Sequence, residues 1–156
     1  MATYMLTRIY LKSTALLLVF TAVSKLMASL GGAEVLNQPS PVFGAISNRQ
    51  ILVGAASLEV FVSIVVWVRL DRGLWAPALV LALGTLFLAY RLALWALDFR
   101  GYCGCLGTLG DALHLNEGQA NFITRGILLY LLVGSYLLVV RAGFVKRIAD
   151  TVVPLS

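Results

Sequence analysis

Two cysteines separated by one glycine form the most chemically distinctive pattern in this chain. They are Cys103 and Cys105, with Gly104 between them, and no other cysteine occurs among the 156 residues. A disulfide needs Cα atoms about 4.4–6.8 Å apart, and glycine lets the backbone bend that far without a Cβ clash. So small a ring is strained, and strained, exposed disulfides tend to be labile or catalytic. The pattern predicts a redox-active dithiol, with Cys103 and Cys105 as catalytic residues and Gly104 in support.

The neighbours of the two cysteines allow this chemistry and leave alternatives open. Arg100 lies nearby and favours the thiolate, which is the form that attacks disulfides. A purely structural bridge would constrain the unfolded chain very little, and an inert pair of cysteines is expected in an apolar run rather than between glycines. A metal site is a further alternative, because His114 adds a third donor. Structural zinc needs four ligands, whereas copper(I) accepts fewer. His114 is otherwise expected to be an ordinary loop residue.

The composition indicates what kind of protein positions this motif. Apolar residues make up 60% of the chain and charged residues 12%, and the mean hydropathy is +0.92. An average soluble domain carries about 25% charged residues, so this chain cannot coat a water-facing surface, and disorder is excluded as well. The net charge is +5, but the basic residues form no stripe away from the ends of the apolar runs. Nucleic acid is therefore not expected as a partner. The partner that the composition predicts is the lipid bilayer.

Four segments are long and apolar enough to cross that bilayer as helices. A spanning helix needs roughly 20 mostly apolar residues, and none of the segments shows the alternation of a barrel strand. The fold class expected is therefore all-α, an integral membrane four-helix bundle that forms a single domain. The predicted spans are residues 13–30, 51–68, 74–97 and 122–140, and loop 98–121 carries the two cysteines.

The connections between the spans make further predictions. Pro41–Gln50 is a candidate for a short interfacial helix, and Asp71–Gly73 is a candidate for a tight turn that makes the second and third helices antiparallel neighbours. Pro77 is expected in the first turn of the third helix, where its missing N–H removes no hydrogen bond.

Lysine and arginine residues are distributed unevenly, and this predicts the orientation. With four spans both termini lie on one face, and basic residues favour the cytoplasmic side. Arg49 and Arg100 are the basic loop residues of the opposite face. The face with the termini collects seven: Arg8, Lys12, Arg69, Arg72, Arg141, Lys146 and Arg147. Both termini are therefore expected to be cytoplasmic, in a bacterial inner membrane, with the cysteines facing the periplasm. A cleaved signal peptide ending near Ala28 is the rival interpretation, but Lys25 would interrupt it.

Four charged residues lie inside the predicted spans, and charges there are costly and mark function by default. They are Lys25, Glu59, Arg91 and Arg125. Counting residues from the span ends puts Lys25 roughly 7–8 Å deep and Glu59 roughly 12 Å deep. All four are expected in the outer half of the bilayer, below the cysteine loop. The lysine and the arginines could extend to the interface. Glu59 cannot, and it is predicted to pair with Lys25, as a registry contact or as a polar site for a proton or a quinone head group.

The order of these features resembles a known family. Ser24-Lys25-Leu26 ends the first helix, Phe43 and Ile46 precede the second, Glu59 lies inside it, and Cys103-Gly104-Cys105-Leu106-Gly107 stands between the third and fourth. Over residues 12–140 this is similar to the MauE family of methylamine-utilisation membrane proteins, within the DoxX-like four-helix group. Cys103 and Cys105 match the family cysteines, and Lys25 and Glu59 match its intramembrane charges. Leu106 replaces an expected phenylalanine.

The resemblance implies a membrane thiol–disulfide redox protein that works with a periplasmic thioredoxin-like partner in the maturation of a cysteine-rich periplasmic enzyme. As an enzyme it would be a thiol–disulfide oxidoreductase, with a quinone near Lys25, Glu59 and Arg91 as the candidate second electron carrier. Arg100 and Arg125 are further supporting residues. One alternative is a non-catalytic membrane accessory or scaffold subunit. Another is a small membrane protein that handles copper or another metal.

Overall fold

Four helices make up most of the computed structural model, which describes residues 2–31, 36–68, 75–97 and 117–152. We name the helices α1 (Ala2–Ser29), α2 (Asn48–Val68), α3 (Trp75–Ala96) and α4 (Glu117–Val152). Each contains a stretch long and apolar enough to cross a membrane: Met5–Ser29, Asn48–Val68, Trp75–Ala96 and Phe122–Arg141. The expected all-α architecture with four spanning helices is confirmed.

Two of the helices extend beyond the stretches that the hydropathy predicts. α1 begins well before residue 13, and α4 continues on both sides of the predicted span 122–140, so that residues 117–121 of the predicted loop are helical. The reason is that a helix continues for as long as its backbone hydrogen bonds form, whereas the apolar stretch ends where the hydrocarbon ends. Pro77 lies in the first turn of α3, as predicted. The predicted turn Asp71–Gly73 lies outside the described residues.

The prediction of a short helix at Pro41–Gln50 is wrong. Residues 41–46 form turns and bends, and an isolated β-bridge joins Pro39 to Ser47. Gly44 has a φ of 55°, a left-handed conformation that favours glycine and interrupts a helix. α2 begins only after Ser47, where the Gln50 amide accepts the Ser47 N–H and the Ser47 hydroxyl accepts the Gln50 N–H. We call residues 36–47 the bridge loop.

The helices pack as two antiparallel pairs. α1 makes its most extensive contacts with α2, and α3 makes its most extensive contacts with α4, whereas the α2–α3 and α1–α4 contacts are smaller. A buried core runs between them: Leu11, Ala15, Leu18, Val62, Val66, Ala76, Val80, Leu83 and Leu131. Large apolar side chains cover the outside, among them Phe20, Phe61, Ile64, Leu129 and Tyr136. An apolar exterior over four spanning helices is the surface expected against lipid.

A polar seam joins α1 to α4. The Tyr10 hydroxyl donates to the Leu131 carbonyl at 3.1 Å, and the Ser13 hydroxyl lies 2.6 Å from that of Tyr130. The Tyr10 and Tyr130 rings are 5.2 Å apart between centroids. Tyr10 also packs against Gly134, where a Cβ atom would overlap the ring. The absence of a side chain at Gly134 therefore lets the two helices approach at this level.

Gly134→Ala is predicted to destabilise the bundle by about 1–3 kcal/mol, because the added methyl forces the Tyr10 ring to move. Gly126→Ala is the matched control on the same helix, since nothing lies within 4 Å of a Cβ there. The control should be neutral or stabilising by up to about 1 kcal/mol, because alanine is the better helix former. Unfolding of the two purified variants in detergent measures the difference. Equal stability of both variants would show that the Tyr10–Gly134 contact does not hold α1 against α4.

Candidate functional site

The two cysteines and their neighbours lie in a segment that the structure does not describe. Cys103, Gly104, Cys105, Arg100 and His114 are all outside the described residues. This segment follows α3, whose last turns lie beside the bridge loop: the Phe43 and Tyr90 rings stack with centroids 6.2 Å apart and planes 9° apart. The chain that carries the cysteines therefore leaves α3 at the end of the bundle where α1 stops and α2 starts. We call this the loop end.

Below the loop end, α1 and α2 each contribute one charged side chain to a buried ion pair. Lys25 Nζ donates a hydrogen bond to Glu59 Oε1. Glu59 is 2% exposed and Lys25 is buried as well. The predicted Lys25–Glu59 pair is thus confirmed. Burying either charge alone would be costly. The close contact between the ammonium and the carboxylate offsets the cost of removing both from water.

The two members of the pair have different surroundings. On the lysine side, the ammonium lies 4.7 Å from the centre of the Phe87 ring of α3, close enough for a cation–π contact. On the glutamate side, Thr21 lies beside the carboxyl group but donates its hydroxyl to the Leu18 carbonyl at 3.0 Å. Glu59 Oε2 is buried and has no hydrogen-bond partner. One carboxylate oxygen is therefore satisfied by the ammonium, and the other is left without a donor.

Small residues hold α1 and α2 close enough for this pair to form. The Ser63 hydroxyl donates to the Ala15 carbonyl at 3.0 Å, and Ala15 and Ser63 are both buried. Nearer the loop end, an Arg49 guanidinium N–H donates to the Gly31 carbonyl, also at 3.0 Å. Contacts at these levels fix the antiparallel register of the two helices, which brings the Lys25 ammonium within reach of the Glu59 carboxylate. Small side chains allow such close approach of helices in a membrane.

Of the four charged residues within the spans, the structure brings Lys25 and Glu59 into contact. Lys25 lies in the last turns of α1, close to the loop end, as expected. Glu59 lies near the centre of α2, which begins at Asn48. Arg91 is half-buried on α3, one turn beyond Phe87, and Arg125 is exposed on α4. The buried site therefore consists of Lys25 and Glu59, with Arg91 on a neighbouring turn.

Three contributors to the site escaped the sequence reasoning, namely Phe87, Thr21 and Ser63. Phe87 is one of many aromatic residues in an apolar helix, and only its spacing of one turn from Arg91 hints at a polar face on α3. Thr21 lies one turn before Lys25 on α1, and Ser63 one turn after Glu59 on α2. This i, i+4 spacing of hydroxyl and charged side chains was the available signal.

Comparisons with known proteins found no relative of this chain. No family model, no curated protein and no solved structure matches this chain. Within residues 2–31, 36–68, 75–97 and 117–152, no group of three or more histidine, cysteine, aspartate or glutamate side chains lies together as a metal site would require. The one buried polar constellation described in the bundle that combines opposite charges is the Lys25–Glu59 pair.

Proposed function

We propose that this protein is a membrane thiol–disulfide redox protein, which exchanges electrons with a thioredoxin-like partner outside the cytoplasm through Cys103 and Cys105. The observation that carries the proposal is the position of the Cys103-Gly104-Cys105 motif. In the sequence it follows α3, which ends at the loop end, the same end toward which Lys25 of the buried pair lies. A dithiol at a membrane surface can reach both a soluble partner and the lipid phase.

The two proteins supply every atom and electron that the exchange needs. A thiolate of the dithiol form attacks one sulfur of the other protein's disulfide, and that S–S bond breaks as a mixed disulfide forms. The remaining thiol of the attacking pair loses its proton and attacks the mixed disulfide. A new intramolecular disulfide results, and the two electrons and two protons end on the partner's cysteines. The glycine between Cys103 and Cys105 allows the ring to close.

Three further observations support the proposal. Seven basic residues on the side of the termini favour a cytoplasmic location for both ends, and the loop end would then face the periplasm of a bacterial inner membrane. The bacterial periplasm is an oxidising compartment, in which disulfides form and persist. The resemblance of the motif, Lys25 and Glu59 to the MauE family supports a role in maturing a cysteine-rich periplasmic enzyme. A quinone in the lipid phase is the class of acceptor that could take two electrons and two protons from the dithiol.

A membrane-impermeant maleimide applied to intact cells tests the sidedness and the redox state together. We expect Cys103 and Cys105 to be labelled only after mild reduction, because in the resting protein they form a disulfide on the outer side. Labelling is measured as a mass shift of the purified chain, and a variant with both cysteines replaced by serine is the blank. Labelling without reduction, or labelling only after the membrane is opened, would contradict the proposal.

A second candidate function is a non-catalytic accessory or scaffold subunit. It is favoured by the buried Lys25–Glu59 pair and the Tyr10–Gly134 contact, which fix helix positions without any involvement of the cysteines. This alternative expects the cysteine variants to keep full function, whereas disruption of the ion pair would prevent assembly.

A further inference from the structure

We propose that Glu59 is a reversible proton-binding site in the interior of the bundle, with Oε2 as the atom that takes the proton and Lys25 as its charge partner. This inference goes beyond the redox proposal and does not depend on the cysteines. A proton also needs no cavity, so the site requires nothing more than the side chains that the structure describes around it.

The difference between the two carboxylate oxygens carries the argument. Oε1 accepts a hydrogen bond from the Lys25 ammonium, whereas Oε2 is buried without a donor. An unsatisfied polar atom away from water costs about 1–3 kcal/mol, and more where it carries charge. A proton on Oε2 removes the charge from the carboxyl group and turns the orphaned acceptor into a donor. Protonation of Oε2 removes the cost of holding a bare charge there, and the Thr21 hydroxyl beside the carboxyl group has lone pairs that can accept the new O–H.

The surroundings of Lys25 make the protonated state tolerable as well. When Glu59 is neutral, the ammonium loses its counter-charge but keeps the Phe87 ring at 4.7 Å. Lys25 also lies in the last turns of α1, within reach of the interface for a long side chain. Of the helices that pack against α2, α1 contributes Lys25, while α3 contributes Phe87 with Arg91 one turn beyond. Both protonation states thus have a stable arrangement, which a reversible site requires.

Hydroxyl groups line the way from the pair toward the loop end. Ser24 and Ser29 are buried on α1, and they donate to the carbonyls of Phe20 and Leu26. Each hydroxyl oxygen keeps lone pairs that can accept a passing proton. Exchange of the Glu59 proton is therefore expected through the loop end.

Infrared difference spectroscopy of the protein in lipid nanodiscs, taken between acidic and alkaline buffer, tests the inference. We expect a protonated-carboxyl band that titrates and lies at higher frequency than the bands of water-exposed carboxyls, because the group is dry. Glu59→Gln should abolish this band, while Glu117→Gln, which changes the carboxyl at the start of α4, should leave it unchanged. A band that survives Glu59→Gln, or the absence of any such titrating band, would overturn the inference.

A second variant separates a proton site from a fixed registry pair. In Lys25→Met nothing offsets the burial of the Glu59 charge, so the carboxyl band should persist into alkaline buffer, where the wild type loses it. A pair that serves registry alone would keep Glu59 charged, so the wild type would show no such carboxyl band across the pH range in which the bundle stays folded. The same spectra of a variant with serine at positions 103 and 105 should retain the Glu59 band. Failure of the redox proposal and failure of the proton site are thereby distinguishable.

Discussion

Replacing Cys103 with serine is expected to reduce disulfide exchange with a thioredoxin-like protein to the uncatalysed background. Serine has the shape of cysteine, but its hydroxyl is protonated near neutral pH and cannot attack a disulfide, which requires a thiolate. The measurement is the rate at which the purified full-length protein changes the redox state of an added thioredoxin-like disulfide protein, read by alkylation and mass. Thr108→Ala, in the same segment, is the control and should exchange at the wild-type rate.

Cys105→Ser gives the complementary result. One cysteine remains in each single variant, so a mixed disulfide with the partner can form but no second thiol can resolve it. We expect such a complex to accumulate in at least one of the two variants and to disappear on reduction. Wild-type exchange in both variants, with no trapped complex, would refute the redox proposal and favour the scaffold alternative.

Breaking the Lys25–Glu59 pair from either side is expected to be the most destabilising change within the helices. Glu59→Leu leaves an ammonium without its carboxylate, and Lys25→Met leaves a carboxyl group that must take up a proton to lose its charge, in a site where both side chains are buried. Loss of one partner of a buried pair costs about 3–5 kcal/mol. The free energy of unfolding in detergent or lipid measures the loss.

The double variant Lys25→Met/Glu59→Leu provides the control for this prediction. With both charges replaced by apolar side chains of similar size, no desolvated charge remains, and most of the stability should return. The sum of the two single losses would then exceed the loss in the double variant by several kcal/mol. Additive losses would show that the two side chains act independently and that their contact contributes nothing to the bundle.

The spanning helices and the ion pair could be predicted from the sequence because each follows from a local or one-dimensional rule. Span positions follow from the length of apolar runs, and the Lys25–Glu59 pair follows from depth. A carboxyl group deep in one span needs a cation at a similar level in a neighbouring span. Both features required only counting along the chain.

The remaining features depend on details that such counting does not include. The helix predicted for residues 41–50 was excluded by the left-handed Gly44 and by the Ser47–Gln50 capping contact, a short-range signal that a hydropathy pattern overlooks. The contact of Tyr10 with Gly134 joins residues far apart in the chain, so nothing local to either one indicates it. A glycine inside a helix is disfavoured by about 1 kcal/mol, and that disadvantage was the only available sign of close packing.

The pairing of α1 with α2 also has a consequence for how the chain enters the membrane during synthesis. A charged side chain at the centre of a helix raises the free energy of insertion by about 2.5–3.5 kcal/mol. α2 carries such a residue in Glu59, and its partner Lys25 lies on the helix that is synthesised immediately before it. The two helices therefore insert most favourably together, as a hairpin in which each charge is already neutralised. α3 then follows and closes Phe87 over the ammonium.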